Sequence, residues 1–354
     1  MVEIKEQAGK VLGHVAGYIA TRTLEMGVTH GFFAGLADHP DGIDVDGLAS
    51  HLGYDAFYTE VWLRSAVASE YLEVDGDPIE HYDPEARRFE RCPDRKFRLA
   101  EHMQTLLLDK DFPAYLGALP IILKQREVFD VFAENLVSGD RLWWNDCSHE
   151  AVQAVSNTGW SFYVRLMPGG FDAVPGVTDI LAKKARVAEL CCGFGKGTER
   201  LAKMYPDCSI VAVDGDEYSL KKASARLADA GLSDRVQFVH SYLEEMQLEP
   251  GFDLVFINIS MHECRDIDKV TENVKACLRP GGIFVISDFP FPNSVEAQRT
   301  VPGRIMSGIQ FFEALIEDQL MPTPVFTELL TKHGFKDVAS FDVSPVHAIS
   351  YGSV

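Results

Sequence analysis

Apolar positions recur at helical spacing over roughly the first ninety residues, then change character after residue 185. From there short continuous apolar runs alternate with amphipathic stretches. The first part predicts a helix from about Ala8 to Met26, followed by the apolar Val28, Phe32, Phe33 and Leu36. His39-Pro40-Asp41-Gly42 reads as a tight turn. Val45, Leu48, Ala49 and Leu52 then form a helix that Gly53 should end. A third helix carries Phe57, Val61, Leu63 and Val67, and extended pieces follow at Tyr71–Val74 and 88–91, parted by Asp75-Gly76. Residues 97–183 read as helical and aromatic-rich, with loop signals at Ser138-Gly139-Asp140 and Pro168-Gly169-Gly170. The segment is read as a linker able to cover an active site, while its aromatic positions, Phe129, Phe132, Trp143, Trp144, Trp160, Phe162 and Tyr163, are read as core. The later runs predict strands at Val187–Cys191, Ile210–Val213, Val236–Val239, Leu254–Ile257 and Ile283–Ser287, with helices at 197–204, 217–230 and 267–278. Strands alternating with helices make an α/β, doubly wound, mostly parallel sheet.

Helix, helix-turn-helix and hairpin in that order predict a winged helix over 1–95. A helical connecting segment over 96–183 and the α/β domain over 184–354 complete the division. A winged helix serves DNA binding or dimerisation, and charge decides between them. Residues 1–90 hold seventeen Asp/Glu against six Lys/Arg, and the third helix offers one cation, Arg64, beside Glu60. Groove readers carry a basic footprint, so dimerisation is the expectation.

The whole chain points the same way. It has 354 residues with 53 acids against 33 Lys+Arg, a net charge of −20, which argues against a general polyanion binder. No apolar run approaches the ~18–20 residues that span a bilayer, and MVEIKEQAGK lacks the apolar stretch of a signal peptide. Seven cysteines, two of them adjacent, with no C-x-x-C pair suggest reduced thiols in a cytoplasm. They suggest neither a disulfide framework nor a zinc site.

Ligands of doubly wound sheets sit beyond the carboxyl ends of the strands, so the chemistry is sought there. The first strand runs into Glu189-Leu190-Cys191-Cys192-Gly193-Phe194-Gly195-Lys196-Gly197-Thr198. Glycines let the backbone approach a ligand, and the following helix start offers free N–H groups. The dinucleotide fingerprint G-x-G-x-x-G fails, because Thr198 holds its third glycine position. Glu189 suits an ammonium or sulfonium better than a pyrophosphate. Asp214, nineteen residues beyond Gly195 at the end of the second strand, can accept from both hydroxyls of a ribose.

With these motifs the sequence resembles the class I S-adenosylmethionine-dependent methyltransferases. The likeness rests on VAELCCGFGKG, VAVDGD, the strand pair FVHSYLEEM and FDLVFINI, the L-R-P-G-G turn of Leu278–Gly282, and the L-L-x-x-x-G-F of Leu329–Phe335. With the winged helix in front, the chain is similar to the small-molecule O-methyltransferase type, a dimerisation domain joined to a Rossmann-like domain. The resemblance implies S-adenosyl-L-methionine as cofactor and a homodimer acting on a small-molecule acceptor. Glu189 and the loop from Gly193 through Gly195 to Gly197 would hold the methionine part, and Asp214 the ribose. Gly215, Ser241 and Tyr242 would border the adenine, Tyr242 standing where the family has an acid. Asn258 and Tyr163 would complete the cofactor site. Cys191 replaces the family's first glycine.

Met261-His262-Glu263-Cys264 follows the fourth strand, where the family carries Leu-His-Asp-Trp with the His as general base. The chemistry agrees. A phenol near pKa ~10 is a poor nucleophile at pH 7, and an imidazole near ~6.5 suits removal of its proton. Glu263 is the acid that follows, but helical neighbours do not face each other. Asp288, ending the fifth strand, is better placed to orient His262. His149 reads as a surface residue. Transfer to N, S or C without a base, a cofactor-sensing DNA-binding regulator, and a nicotinamide dehydrogenase stand as alternatives.

Overall fold

The computed structural model describes residues 3–76, 82–85, 88–89 and 95–354, which form two compact units, Met1–Lys124 and Gln125–Val354.

The first unit is mostly helical: Ile4–Thr29, Phe32–Ala37, Val45–Leu52 and Ala56–Ala68. Asp44 and Asp55 cap the third and fourth helices by accepting from the N–H groups of Gly47, and of Phe57 and Tyr58, as short acidic side chains at helix starts do. Gly53, at φ 72°, ends the third helix in the left-handed conformation. Phe33, Leu36, Leu48 and Leu63 are fully buried. Trp62 stacks on Phe32 with ring centroids 4.2 Å apart and donates its indole N–H to the Thr23 carbonyl at 3.0 Å. On the fourth helix Trp62, Leu63 and Ala66 thus face inward, while Phe57 and Val61 are exposed.

The hairpin differs from expectation. Strand β1 (Leu72–Asp75) does not pair with the described part of 88–91, Arg88–Phe89. Tyr82–Asp83 (β2) pairs with Arg88–Phe89 (β3), and Glu90 and Arg91 lie outside the described residues. The antiparallel partner of β1 is β4, Lys96–Leu99, with Leu72 opposite Leu99. Phe97 of β4 is buried and bridges Ile43 just before the third helix. Two short helices, Met103–Leu108 and Leu119–Ile122, end the unit.

The second unit is an α/β sheet of seven strands. These are β5 Arg186–Leu190, β6 Ser209–Asp214, β7 Val236–His240, β8 Phe252–Asn258, β9 Leu278–Asp288, β10 Lys336–Ser344 and β11 His347–Ser353. Their order is β10-β11-β9-β8-β5-β6-β7. The five strands from β9 to β7 run parallel, and β11 pairs antiparallel with β9 and with β10. All five predicted strands are present. The L-R-P-G-G stretch, expected as a turn, is the start of β9, where Leu278 pairs with Phe252.

Side chains alternate between two buried faces, as pleated strands covered on both sides require. Ala188, Leu190, Val255, Ile257, Phe284 and Ile286 meet Val270, Val274, Phe326 and Leu330. Val187, Ile210, Leu254, Phe256, Val285 and Ile349 meet Leu166, Phe171, Leu181 and Leu201 on the opposite face. Sequence order reverses between β5 and β8, the switch point where a crevice opens above the strand ends. The helix His149–Arg165 and a wide turn over 166–170 lead into the sheet. The expected loop at 168–170 is therefore helical in part.

Candidate active site

A cavity of about 630 Å³ lies at the switch point. Among the residues expected in a site, Tyr163, Gly193, Asp214, Gly215, Ser241, Tyr242, Asn258 and Glu263 line it. Glu189, Gly195, His262 and Asp288 do not, and each has another place.

Glu189 is fully buried beneath the glycine loop. One carboxylate oxygen accepts from Thr198 Oγ1 at 2.6 Å; the other, Oε1, has no hydrogen-bond partner among the described residues. Burial pushes its pKa up to about 7, against the pull of the Thr198 hydrogen bond. Gly197 must be glycine, because a Cβ there would overlap the Tyr163 ring and the Glu189 carboxylate. Gly195, at φ 70°, begins the helix Lys196–Met204 and packs on Ala223, so its service is to helix packing. Cys191 sits at φ 52°, the left-handed conformation that favours glycine. The neighbouring Cys264 thiol, together with desolvation, holds its half-buried thiol well above the ordinary thiol range.

Asp214 ends β6 with both oxygens engaged by backbone. Gly193 N–H donates to Oδ2 at 2.7 Å and Asp216 N–H to Oδ1 at 2.9 Å. Burial raises its pKa against these two hydrogen bonds. The carboxylate thus ties the glycine loop to the next strand end. The Tyr242 ring lies over Gly215, 3.0 Å from where a Cβ would stand, and remains exposed. Ser241 Oγ donates to the Tyr242 carbonyl. His149 is exposed and stacks on Tyr218, centroids 4.0 Å apart.

His262 lies just behind the cavity wall, with 2% of its surface exposed. Its Nδ1–H donates to Asp288 Oδ1 at 2.7 Å. Asp288 also accepts from the backbone N–H groups of Met261, His262 and Phe289. The pairing expected between the ends of neighbouring parallel strands is therefore present. On the other side of the ring, Nε2 is 3.7 Å from Glu313 Oε2, beyond hydrogen-bonding reach. Both atoms are buried without a hydrogen-bond partner among the described residues. Burial works against charge on His262, but Asp288 and then Glu313 outweigh it and hold its pKa well above the ordinary imidazole value. Burial takes Glu263 up to about 8, against the charge of His262. His262, Glu263 and Glu313 present ligand-type atoms within 4.8 Å of one another.

Several lining residues were not expected. Trp143 and Trp144, read individually as core, line the cavity from the segment expected to cover it, as do Asn145 and Asp146; Arg265 lines it too, and so does Lys196 of the expected glycine loop. Arg265 lies over the Trp143 ring at 4.9 Å, donates to Asp318 at 2.7 Å and to the carbonyls of Glu317 and Ile316. Only the run of aromatics hinted at 143–146. The path of the loop that brings them over the strand ends is a tertiary fact. Glu313, in the helix Val301–Leu315, carried only the faint signal of an acid among Phe311, Phe312 and Leu315.

These groups fit S-adenosylmethionine. A methionine moiety brings an ammonium and a carboxylate, and the site holds an unpartnered buried carboxylate oxygen at Glu189 and an unpartnered buried amide nitrogen at Asn258. Asp214 and the glycine loop stand at the expected separation beside them.

The comparisons agree. Residues 187–282 match a family model described as a methyltransferase domain. Over 197 residues the chain is 28% identical to 27-O-demethylrifamycin SV methyltransferase of Amycolatopsis mediterranei, covering 54% of this chain and 68% of that protein. Sterol 24-C-methyltransferases are matched over about a third of their length. A putative O-methyltransferase of Nostoc punctiforme superposes with a TM-score of 0.70 at 13% identity, over 98% of both chains. Human N-acetylserotonin methyltransferase, solved with S-adenosylmethionine, gives 0.65 at 16% identity, over 100% of this chain and 99% of that one. Among the described residues no helix is long and apolar enough to cross a membrane. With its strand order, its glycine loop and Asp214 in these places, the chain carries a methyltransferase domain over residues 187–282, is similar to the class I S-adenosylmethionine-dependent methyltransferases and has the fold of their O-methyltransferase type.

Proposed function

We propose that the chain methylates a hydroxyl of a small molecule, with His262 as general base. The observation that carries this reading is the gap between His262 Nε2 and Glu313 Oε2. Two buried, unpartnered polar atoms 3.7 Å apart are costly unless a ligand meets them. A hydroxyl entering beside Glu263 would give its proton to Nε2. Asp288 fixes the ring so that Nε2 is the nitrogen offered, and with Glu313 it stabilises the imidazolium that forms. S-adenosyl-L-methionine supplies the activated methyl group on its sulfonium. The chain's remaining work is alignment and exclusion of water.

In this reading Glu189, Asn258 and the loop from Gly193 to Gly197 hold the methionine moiety. Asp214 holds the ribose, Gly215, Ser241 and Tyr242 border the adenine, and Tyr163 packs against the loop. Two relatives carry an oxygen acceptor in their names, 27-O-demethylrifamycin SV methyltransferase and malonyl-[acyl-carrier protein] O-methyltransferase, whereas the sterol 24-C-methyltransferases carry a carbon one. Asp214→Ala is expected to weaken the cofactor by about 1.5–3 kcal/mol, the scale of charge-assisted hydrogen bonds. Calorimetry on a folded variant with unchanged affinity would remove Asp214 from the site.

The first unit is proposed to be a winged helix that dimerises. Its helix Ile4–Thr29 exposes Val11, Leu12, Val15, Tyr18 and Ile19, and the fourth helix exposes Phe57, Tyr58 and Val61. Apolar side chains repeating along one helix call for a partner. The DNA-binding alternative is weakened by Arg64, whose guanidinium is held by Glu60 at 2.6 Å. Light scattering is expected to find a dimer, and Val15→Glu with Ile19→Glu a monomer. A monomeric parent protein would overturn this part.

A further inference from the structure

In the second unit a line of four side chains runs to the cavity wall, and the direction of its hydrogen bonds is forced. Arg165 donates its Nε–H to His347 Nδ1 at 3.1 Å. A guanidinium cannot accept, so Nδ1 carries the lone pair and the neutral ring has its proton on Nε2. Burial, with the charge of Arg165, keeps His347 well below the ordinary imidazole range and hence neutral. His347 Nε2 lies 2.6 Å from Ser287 Oγ and must donate to it. Ser287 then turns its own proton to Asn258 Oδ1, at 2.7 Å.

That settles which way the Asn258 amide faces. Its oxygen is held by Ser287, so its nitrogen is turned away. Nδ2 is buried with no partner among the described residues, on a residue that lines the cavity. The arrangement spans the sheet. Asn258 ends β8, Ser287 is its register partner on β9, and His347 begins β11, the strand antiparallel to β9. Asn258, Ser287 and His347 are all at least 98% buried, so water cannot substitute for a missing link.

We propose that Arg165, His347 and Ser287 are positioning residues that lock the Asn258 amide as a hydrogen-bond donor to a carboxylate or carbonyl oxygen of the bound ligand. The identity of that ligand rests on the methyltransferase reading. The oxygen belongs either to the methionine carboxylate of the cofactor or to the acceptor molecule. A freely turning amide would present its own oxygen half the time and repel such a group. The relay removes that state before the ligand arrives, a gain through preorganisation.

The test compares the full-length protein with Ser287→Ala, His347→Leu, His347→Gln and Asn258→Asp. Calorimetric titration with S-adenosylhomocysteine and steady-state kinetics are the readouts. Ser287→Ala and His347→Leu are expected to weaken S-adenosylhomocysteine roughly ten-fold if the oxygen is the cofactor's. If it is the acceptor's, the same factor appears in the acceptor KM with S-adenosylhomocysteine unchanged. His347→Gln, whose terminal N–H replaces Nε2–H, should recover most of the loss, which a merely structural role would not predict. Asn258→Asp puts an acceptor where the donor stood and should lose most. Nitrogen-15 NMR of the parent protein should find His347 unprotonated at Nδ1. A folded Ser287→Ala with unchanged cofactor affinity and acceptor KM, or a proton on His347 Nδ1, would overturn the proposal. A parent protein that does not bind S-adenosylhomocysteine would instead overturn the methyltransferase reading, and the tautomer would still decide the relay.

Discussion

His262→Ala is expected to lower turnover by roughly 10²–10⁴ and to leave cofactor affinity nearly intact. The asymmetry follows from position. His262 contacts Asp288, Glu313 and Phe289 and does not line the cavity that would hold the cofactor. The pH profile carries the sharper information. Only the neutral ring can accept a proton, and Asp288 and Glu313 hold the ring's pKa above the ordinary imidazole value. The rate should therefore rise with pH through an apparent pKa above that value, and the variant should lack the rise. Glu313→Gln removes one carboxylate, weakens the hold on the proton and should move the rise to lower pH. A more acidic acceptor should partly rescue His262→Ala, because it needs less help in losing its proton. Near-normal turnover of His262→Ala would point to an acceptor atom that is already nucleophilic, such as a thiolate or an amine.

Gly197→Ala should be the most damaging change in the loop. The added methyl would overlap both the Tyr163 ring and the Glu189 carboxylate. Both are buried, and Glu189 is further held by Thr198. Overpacking of this kind costs about 1–3 kcal/mol of stability, and the loop must shift to relieve it. Cofactor affinity should fall with it, by at least about ten-fold if the shift costs 1.4 kcal/mol of binding. Gly193→Ala is the control. Nothing lies within 4 Å of a Cβ there, but φ is 51°, so only backbone strain of roughly 1–2 kcal/mol is added. Thermal melting with calorimetry separates the two. A Gly197→Ala protein that melts and binds like its parent would contradict the packing of Tyr163 and Glu189 under the loop.

Much of the second unit was legible because its strands are buried on both faces and so appear as short unbroken apolar runs. The loop after β5 and the acid ending β6 were legible for the same reason, since strand ends fix where chemistry can lie. The pairing of His262 with Asp288 followed from two parallel neighbours ending together. What escaped depends on contacts that local pattern does not carry. The β4 strand is four residues long with a single fully inward side chain, Phe97, too little alternation to read. Trp143 and Trp144 reach the cavity through a loop whose course is set by tertiary packing. His262 was expected at the site, but its ring sits behind the wall and faces Glu313, an acid from a helix some fifty residues later in the chain. Cys191 was visible as a departure from glycine. Its left-handed backbone and its thiol contact with Cys264 were not.

Methyl transfer to oxygen with His262 as the base can be tested on the label itself. The most direct measurement supplies S-adenosylmethionine labelled in its methyl group, with a panel of phenols, thiols and amines, to the parent protein and to His262→Ala side by side. Label is expected on a hydroxyl oxygen, with the rate at least about a hundred-fold lower in the variant. Label on nitrogen or sulfur, or equal transfer to oxygen by both proteins, would contradict it.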